Sequence, residues 1–459
     1  MTKASLLKSR YIEQLLARPL LYLLIIHVIT IAIPLAINLI NARPQLLGAQ
    51  SYYHLWAATA SQYHQPLYLL LHWFETFLPQ STLIIIPITL GILDIVLLKE
   101  FLKRTSLANF EQILALLLLV LSPAFIMNSL SITTTGIVLF LCLVGFYLLR
   151  SKSSLKQAIS TLPFLLATTF DLTHAFLVLL ALCINFYFNR EEQPKIIGFL
   201  IGVTSVSIAI QALYFNQPFL LGPFHVQSFA ADLVTDLGGI GGASFFVILL
   251  AIIGLFITFK EKEHRVLFIP LLISLLLSLL STVFILLLVI LFSISAALTI
   301  THLTKRQWTL PTLQNFTLFL IFLGILFSTI SYEERLSTEG LTQQELKALD
   351  WIKDNTAPTS IILTLPENGP YVKGLAQRPV YYSIEQNDHS TANKTMQMLK
   401  ASYVQEIFPL LEENNITFIY INPKTKEIIG ENQGILFLLQ NERFRLAYSN
   451  SEIELWTYR

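Results

Sequence analysis

Residues 46–60 read LLGAQSYYHLWAATA, which places a glutamine, two tyrosines, a histidine and a tryptophan just after a long apolar run. What Gln50, Tyr52, Tyr53 and His54 do depends on the surface they face, so the surrounding chain decides the reading. The sequence has 459 residues, of which 54% are hydrophobic and 13% charged. Soluble domains carry roughly 25% charged residues, and the mean hydropathy here is +0.63. Apolar runs of a length that spans a bilayer, about 20 residues each, recur through the first 330 residues. The first run has no small-residue cleavage site after it, so it reads as a span and not as a signal peptide. A net charge of +1 gives no field for nucleic acid. Cys142 and Cys183 both lie in apolar runs and read as packing residues.

Working outward from the cluster, the spans are expected at 20–40, 81–98, 110–127, 132–149, 157–171, 174–188, 194–214, 242–259, 266–282, 284–300 and 311–330, about eleven in all. The stretch 266–300 is too long for one helix, and Ser281-Thr282 is the expected break. Basic residues fall on alternate loops. Lys3, Lys8, Arg10 and Arg18 precede the first span, and later come Lys99, Lys103 and Arg104, then Arg150 and Lys152, then Arg190 and Lys195. Lys260, Lys262 and Arg265 follow, and finally Lys305 and Arg306. The opposite loops hold Arg43 and almost no other Lys or Arg. The positive-inside rule therefore puts the N-terminus in the cytoplasm, and the chain is expected as a multi-pass protein of the plasma membrane. An odd number of spans leaves 331–459 outside, so 1–330 is expected as the transmembrane domain and 331–459 as an extracytoplasmic domain.

The composition of that last part is soluble, with Glu333-Glu334-Arg335 at its start. TQQELKALDWIKDNTA (342–357) has helical spacing. SIILTL, RPVYYS, ITFIYIN, FRLAYS and IELWTY read as short strands, with helices at about 395–413 and 432–441 between them. This alternation predicts a small α/β domain with a mixed sheet. No glycine-rich phosphate loop follows any strand, so no nucleotide site is signalled.

On the outer side, the long first loop (41–80), the loop 215–241 and the tail hold the residues of interest. This layout resembles the GT-C superfamily of polyprenyl-phosphate-dependent membrane glycosyltransferases, and within it the archaeal and bacterial catalytic subunits of oligosaccharyltransferase. The likeness covers most of the chain as a layout. The family's first-loop motif, Asp-x-Tyr-Tyr-His, corresponds to Gln50-Ser51-Tyr52-Tyr53-His54. Its second outer loop offers an acidic pair before the fourth span, where SPAFIMNSLSITTTG offers Thr133, Thr134 and Thr135. A late loop carries Thr-Ile-x-Glu, where DLVTDLGG places Asp236. Its tail motif, Trp-Trp-Asp-Tyr-Gly followed by Arg, corresponds to LTLPENGPYVKGLAQRPV, which keeps Gly369 and Arg378 but lacks both tryptophans and the acid.

The resemblance implies a divergent relative that transfers a sugar from a polyprenyl-phosphate-linked donor on the outer face. The acceptor is not identified, and membrane lipids are the other partners. The alternative is a catalytically degenerate scaffold that binds lipid or protein partners. The family's acids hold a divalent cation that offsets the charge of the leaving pyrophosphate. Hard cations need oxygen ligands, usually anionic, and Gln50 and the threonines are neutral. No cofactor is therefore expected, and a cation would fall to Asp232, Asp236, Asp171 and His54. Asp236 and Asp232, four apart and on one face of a helical turn, are the expected catalytic acids, with His54. Gln50, Tyr52, Tyr53, Lys373 and Arg378 are expected to contact the donor, since Arg forks onto phosphate oxygens.

Each residue also has a plainer reading. Tyr52, Tyr53 and Trp56 suit an aromatic belt at the interface, and LYLLLHWFETF (67–77), with His72 and Glu75, suits an interfacial helix. Asp232, Asp236 and the glycines 238, 239, 241 and 242 suit a turn and a helix cap. Asp171 and His174, in TTFDLTHAF, form an ionisable pair at a short turn, which is either functional or simply water-facing. Asp94 reads as an ion pair with Lys99.

Overall fold

The computed structural model of the chain describes residues 18–59, 66–77, 82–103, 105–151, 153–188, 194–214, 226–239, 241–260, 265–338, 340–386, 388–430 and 433–458. Among the loop residues used above, Lys3, Lys8, Arg10, Arg104, Lys152, Arg190 and Lys262 lie outside this set, as does 215–225. The chain divides into two compact units, one of 1–37 and 84–339 and the other of 38–83 and 340–459. The expected boundary at 330/331 falls inside the helix Pro311–Thr338. The first outer loop belongs to the same unit as the tail.

The first unit is helical. In chain order it contains α1 (Pro19–Ile40), α2 (Ile85–Leu102), α3 (Asn109–Val120), α4 (Pro123–Leu130), α5 (Thr134–Leu149), α6 (Ser154–Ile159), α7 (Thr161–Thr168), α8 (Leu172–Phe188) and α9 (Pro194–Tyr214). It continues with α10 (Val226–Leu233), α11 (Phe245–Lys260), α12 (Arg265–Ser278), α13 (Ile285–Lys305) and α14 (Pro311–Thr338). The break expected near Ser281-Thr282 lies between α12 and α13. Among the described residues, four helical stretches are long and apolar enough to cross a membrane: Pro19–Ile40, Ile196–Leu213, Thr282–Lys305 and the one that starts at Pro311. The pair α3 and α4, bent by 61° where Pro123 opens a new helix capped by Ser122, makes a fifth if taken together. Other expected spans correspond to apolar helices of 10–17 residues, among them Thr134–Leu149 and Phe245–Phe259.

α13 is the axis of this unit, and almost every residue from Ile285 to Thr301 is buried. Its tightest neighbour is α11. A Cβ on Gly254 would lie 2.3 Å from the Ser295 carbonyl oxygen, so only glycine permits this approach. At the same contact Ser295 Oγ donates to the Ala251 carbonyl (2.9 Å) and Thr299 Oγ1 donates to the Leu250 carbonyl (2.8 Å). Small residues and hydroxyls of this kind hold helices together where lipid removes the hydrophobic drive. Asp94 is fully buried on α2, and neither carboxylate oxygen has a hydrogen-bond partner among the described residues. The expected ion pair with Lys99 is absent there, because Asp94 faces the helix core and not the end of the bundle.

The second unit joins α15 (Ala49–Thr59) and α16 (Pro66–Phe77) to the tail, which contains a four-stranded sheet in the order β1-β2-β4-β3. The strands are β1 (Ile361–Leu363), β2 (Ile416–Ile421), β3 (Phe444–Ser449) and β4 (Glu454–Tyr458). β1 and β2 are parallel, and β4 is antiparallel to both β2 and β3. Alternate residues of β2 serve two cores: Ile419 and Ile421 pack with Leu399, Ile407 and Leu411, whereas Tyr420 packs with Leu349, Ile352 and Val372. RPVYYS contributes a single bridge, Ile362 to Val380. The helix expected at 395–413 is two, His389–Lys400 and Val404–Glu413.

Candidate functional site

Polar groups gather at two places in the first unit and one in the second. In the second unit, Gly48 has φ +77° and turns the chain into α15. Ser51 Oγ and Tyr52 Oη fix the start of that helix by donating to the Leu47 (2.6 Å) and Leu46 (2.9 Å) carbonyls. α15 lies on Val372–Ala376, a single π-helical turn of the tail. A Cβ on Gly374 would stand 2.6 Å from the Tyr52 carbonyl oxygen, so the two backbones touch. Tyr52 and Tyr371 rings are 5.2 Å apart, and burial raises the Tyr52 phenol far above its ordinary value, with Tyr371 adding to the effect. Lys373 is 5% exposed, and its ammonium sits 5.7 Å from the Tyr53 ring and 5.1 Å from the Trp56 ring. His54 is buried against Tyr53 and Tyr68, at 5.7 and 5.9 Å. Four of the expected donor and catalytic residues, Tyr52, Tyr53, His54 and Lys373, thus share one cluster, with Trp56 as an unforeseen member. Gln50 is on the same helix but exposed, and its side chain makes no hydrogen bond among the described residues.

Arg378 belongs elsewhere in the unit. Its Nε donates to Thr356 Oγ1 (2.9 Å), and its terminal nitrogens donate to the carbonyls of Ala376, Gln377, Thr356 and Lys353. All five guanidinium donors are accounted for, so the expected phosphate contact has no donor left. Arg378 ties the helix Gln343–Asn355 to the chain entering RPVYYS.

In the first unit, the acids four apart do not share a helical turn. α10 ends at Leu233, Val234 bridges to Ala243, and Thr235–Leu237 is a separate 3₁₀ turn. Asp236 Oδ2 accepts from the Phe245 backbone N–H at the start of α11 (2.6 Å), and Oδ1 accepts from Ser328 Oγ on α14 (2.6 Å). The glycines nearby close the chain on itself: a Cβ on Gly239 or Gly242 would meet the Ala231 or Leu233 carbonyl oxygen at 2.0 Å. Arg335 donates to the Gly239 carbonyl (2.8 Å) and completes this knot. Asp232 is half-buried with no hydrogen bond to Asp236, and burial holds its carboxyl above the ordinary range.

The third cluster was visible in the sequence only as a pair. Asp171 caps α8: its Oδ1 accepts the His174 backbone N–H (2.8 Å) and its Oδ2 meets His174 Nδ1 (2.5 Å). His174 Nε2 meets Thr135 Oγ1 at 3.2 Å, on the first turn of α5. Burial pushes the Asp171 carboxyl up, but the hydrogen bond and charge of His174 outweigh it and leave the group below its ordinary value. A carboxylate, an imidazole and a hydroxyl in line can pass a proton. The spacing Asp-x-x-His signals the first link. Nothing signals Thr135, which is 39 residues away.

The donors do not suit a divalent cation. Asp236 has both oxygens engaged, Thr133 Oγ1 bonds Asn128 (2.9 Å), Thr135 bonds His174, and Gln50 is neutral. No three of His, Cys, Asp and Glu stand together among the described residues.

No family model and no curated protein matches the sequence. Solved structures match the fold. The oligosaccharyltransferase of Archaeoglobus fulgidus, tethered to an acceptor peptide containing the NVT sequon, superposes with a TM-score of 0.54 over 95% of this chain and 74% of its own, at 13% identity. AglB from the same organism, in complex with an inhibitory peptide and a dolichol-phosphate, gives 0.55 over the same shares at 12% identity. ArnT of Cupriavidus metallidurans in the apo state gives 0.51 over 94% of this chain and 97% of its own, also at 12%. The chain has the GT-C fold, and it is a divergent version of it.

Proposed function

We propose that this protein transfers a sugar from a polyprenyl-phosphate-linked donor to an acceptor at the outer face of the plasma membrane, with the N-terminus in the cytoplasm, about eleven spans and the tail outside. The observation that carries this reading is a GT-C fold over nearly the whole chain, shared with an oligosaccharyltransferase structure that holds dolichol-phosphate. Asp232 is the better of the two expected acids for the general base, because its carboxyl is free of Asp236's cap bonds and is raised toward the working pH. Asp236 holds the loop that presents it. The cluster of Tyr53, Trp56, His54 and Lys373 supplies stacking faces and a cation, which suits a sugar and a phosphate. His174, held by Asp171, is a second proton-handling group.

The test is turnover of a radiolabelled polyprenyl-phosphate-linked sugar by the purified full chain in nanodiscs. Asp232→Asn is expected to lower the rate by about 10²–10⁴ with donor binding unchanged. A degenerate scaffold is the second reading, favoured by the neutral Gln50 and by the engaged guanidinium of Arg378. It predicts donor binding with neither transfer nor hydrolysis, and no change of either on Asp232→Asn.

A further inference from the structure

The first unit holds a cavity of about 100 Å³ between α2, α5, α8, α12 and α13. Leu98, Leu139, Phe146, Ile184 and Leu291 are among its walls, Cys142 is its one thiol, and polar side chains enter only at Thr105 and Ser106. Ser106 is exposed and Thr105 half-buried, so these two mark the mouth. A water-sized sphere takes roughly 10–15 Å³, so the space takes a short run of methylenes. An apolar cavity of this kind does not hold water, which needs two to four polar partners.

Its position separates it from the clusters described above. Thr135 and His174 lie on the first turns of α5 and α8, whereas the cavity is lined further along both helices, up to Phe146 and Ile184. On α5 the lining begins at Leu139 and ends at Phe146, roughly 6 to 16 Å of helix beyond Thr135 at 1.5 Å per residue. A small depression beside the cavity shares Phe101, Leu143 and Phe146 with it and leads to Arg150. Arg150 donates to the Phe101 carbonyl (3.2 Å) and to Asn185 Oδ1 (3.1 Å), and its guanidinium lies 4.6 Å from the Phe101 ring centre. It therefore joins the ends of α2, α5 and α8 at the rim. The described residues of 97–103, 105–107, 147–151 and 153–157, which form this end, carry four basic residues, Lys99, Lys103, Arg150 and Lys156, and one acid, Glu100, which pairs with Lys103 (2.5 Å).

We propose that this cavity is a lipid site that takes the first methylenes of one hydrocarbon chain of an anionic phospholipid, with its phosphate at the basic rim around Arg150. The apolar walls select the chain, and the rim selects the charge of the head. This is a site for a resident bilayer lipid, distinct from that of a donor handled at Asp232 or His174.

The full chain is reconstituted in nanodiscs with a trace of phosphatidylglycerol carrying a diazirine near the ester end of one acyl chain. After irradiation the labelled peptides are mapped. Labelling is expected at 98–107 and 139–146, and unlabelled phosphatidylglycerol is expected to compete about tenfold better than phosphatidylcholine. Ala181→Phe fills the cavity from a half-buried wall position and is expected to remove this labelling. Ser106→Trp, at an exposed position that leaves the packing alone, is expected to weaken it. Labelling spread evenly over the exposed Phe256, Phe316 and Phe327, unchanged in both variants, overturns the site. Equal competition by the two lipids overturns the anionic head.

Discussion

An acid on a loop before an apolar helix can serve the helix or a substrate, and Asp232 and Asp236 divide these uses. Asp236→Ala leaves the Phe245 N–H and the Ser328 hydroxyl without an acceptor. It is expected to cost about 1–3 kcal/mol and to lower Tm in detergent. Asp232→Ala is expected to leave stability within about 0.5 kcal/mol while removing turnover. Arg378→Lys replaces a fork that satisfies five acceptors by a point charge, and is expected to cost on the order of 3 kcal/mol with donor binding unchanged. A reduced affinity for polyprenyl phosphate at wild-type Tm would return Arg378 to the donor site. At Asp171 the carboxyl is held below its ordinary value, so its stabilisation is complete above about pH 4. That stabilisation is lost as the pH falls through the lowered folded value. Asp171→Asn keeps a cap acceptor but loses the charge. Its Tm deficit against the wild type should be present at pH 7 and shrink in acid.

Among elements, the four strands were legible because each is a short β-rich run between turn signals. RPVYYS was misleading because Pro379 has no N–H to give a ladder, so the run makes one bridge. Asp232 and Asp236 read as one helical face because the spacing is right, yet the bridge from Val234 to Ala243 ends the helix between them. A contact across sequence leaves no local trace. The same holds for Thr135 and His174, and for α15 against Val372–Ala376. Gly374→Ala tests the last of these. A new Cβ would be 2.6 Å from the Tyr52 carbonyl oxygen and 2.8 Å from the Tyr52 Cβ, an overpacking expected to cost about 1–3 kcal/mol. Amide exchange in α15 should then rise above the wild type, while the sheet, read by exchange protection of β2, stays intact.

For the whole molecule, alternating basic loops gave an orientation that can be measured directly. With Cys142 and Cys183 changed to Ser, a cysteine at exposed Ser390 should react with an impermeant maleimide added outside cells, and one at exposed Ser153 should not. The reverse pattern removes both the orientation and the outer-face reading. The division into units was not legible, since composition changes near 331 whereas the compact second unit reaches back to 38–83. That reach has a consequence for biosynthesis. The segment 38–83 leaves the ribosome about 260 residues before the first residue of its partner, and at roughly 5–20 residues per second it waits on the order of 10–50 s. Throughout that interval Tyr52, Tyr53 and Trp56 have no π-turn to cover and no Lys373 to receive, so a nascent chain halted before Gly340 should expose this helix to the membrane surface or to a chaperone.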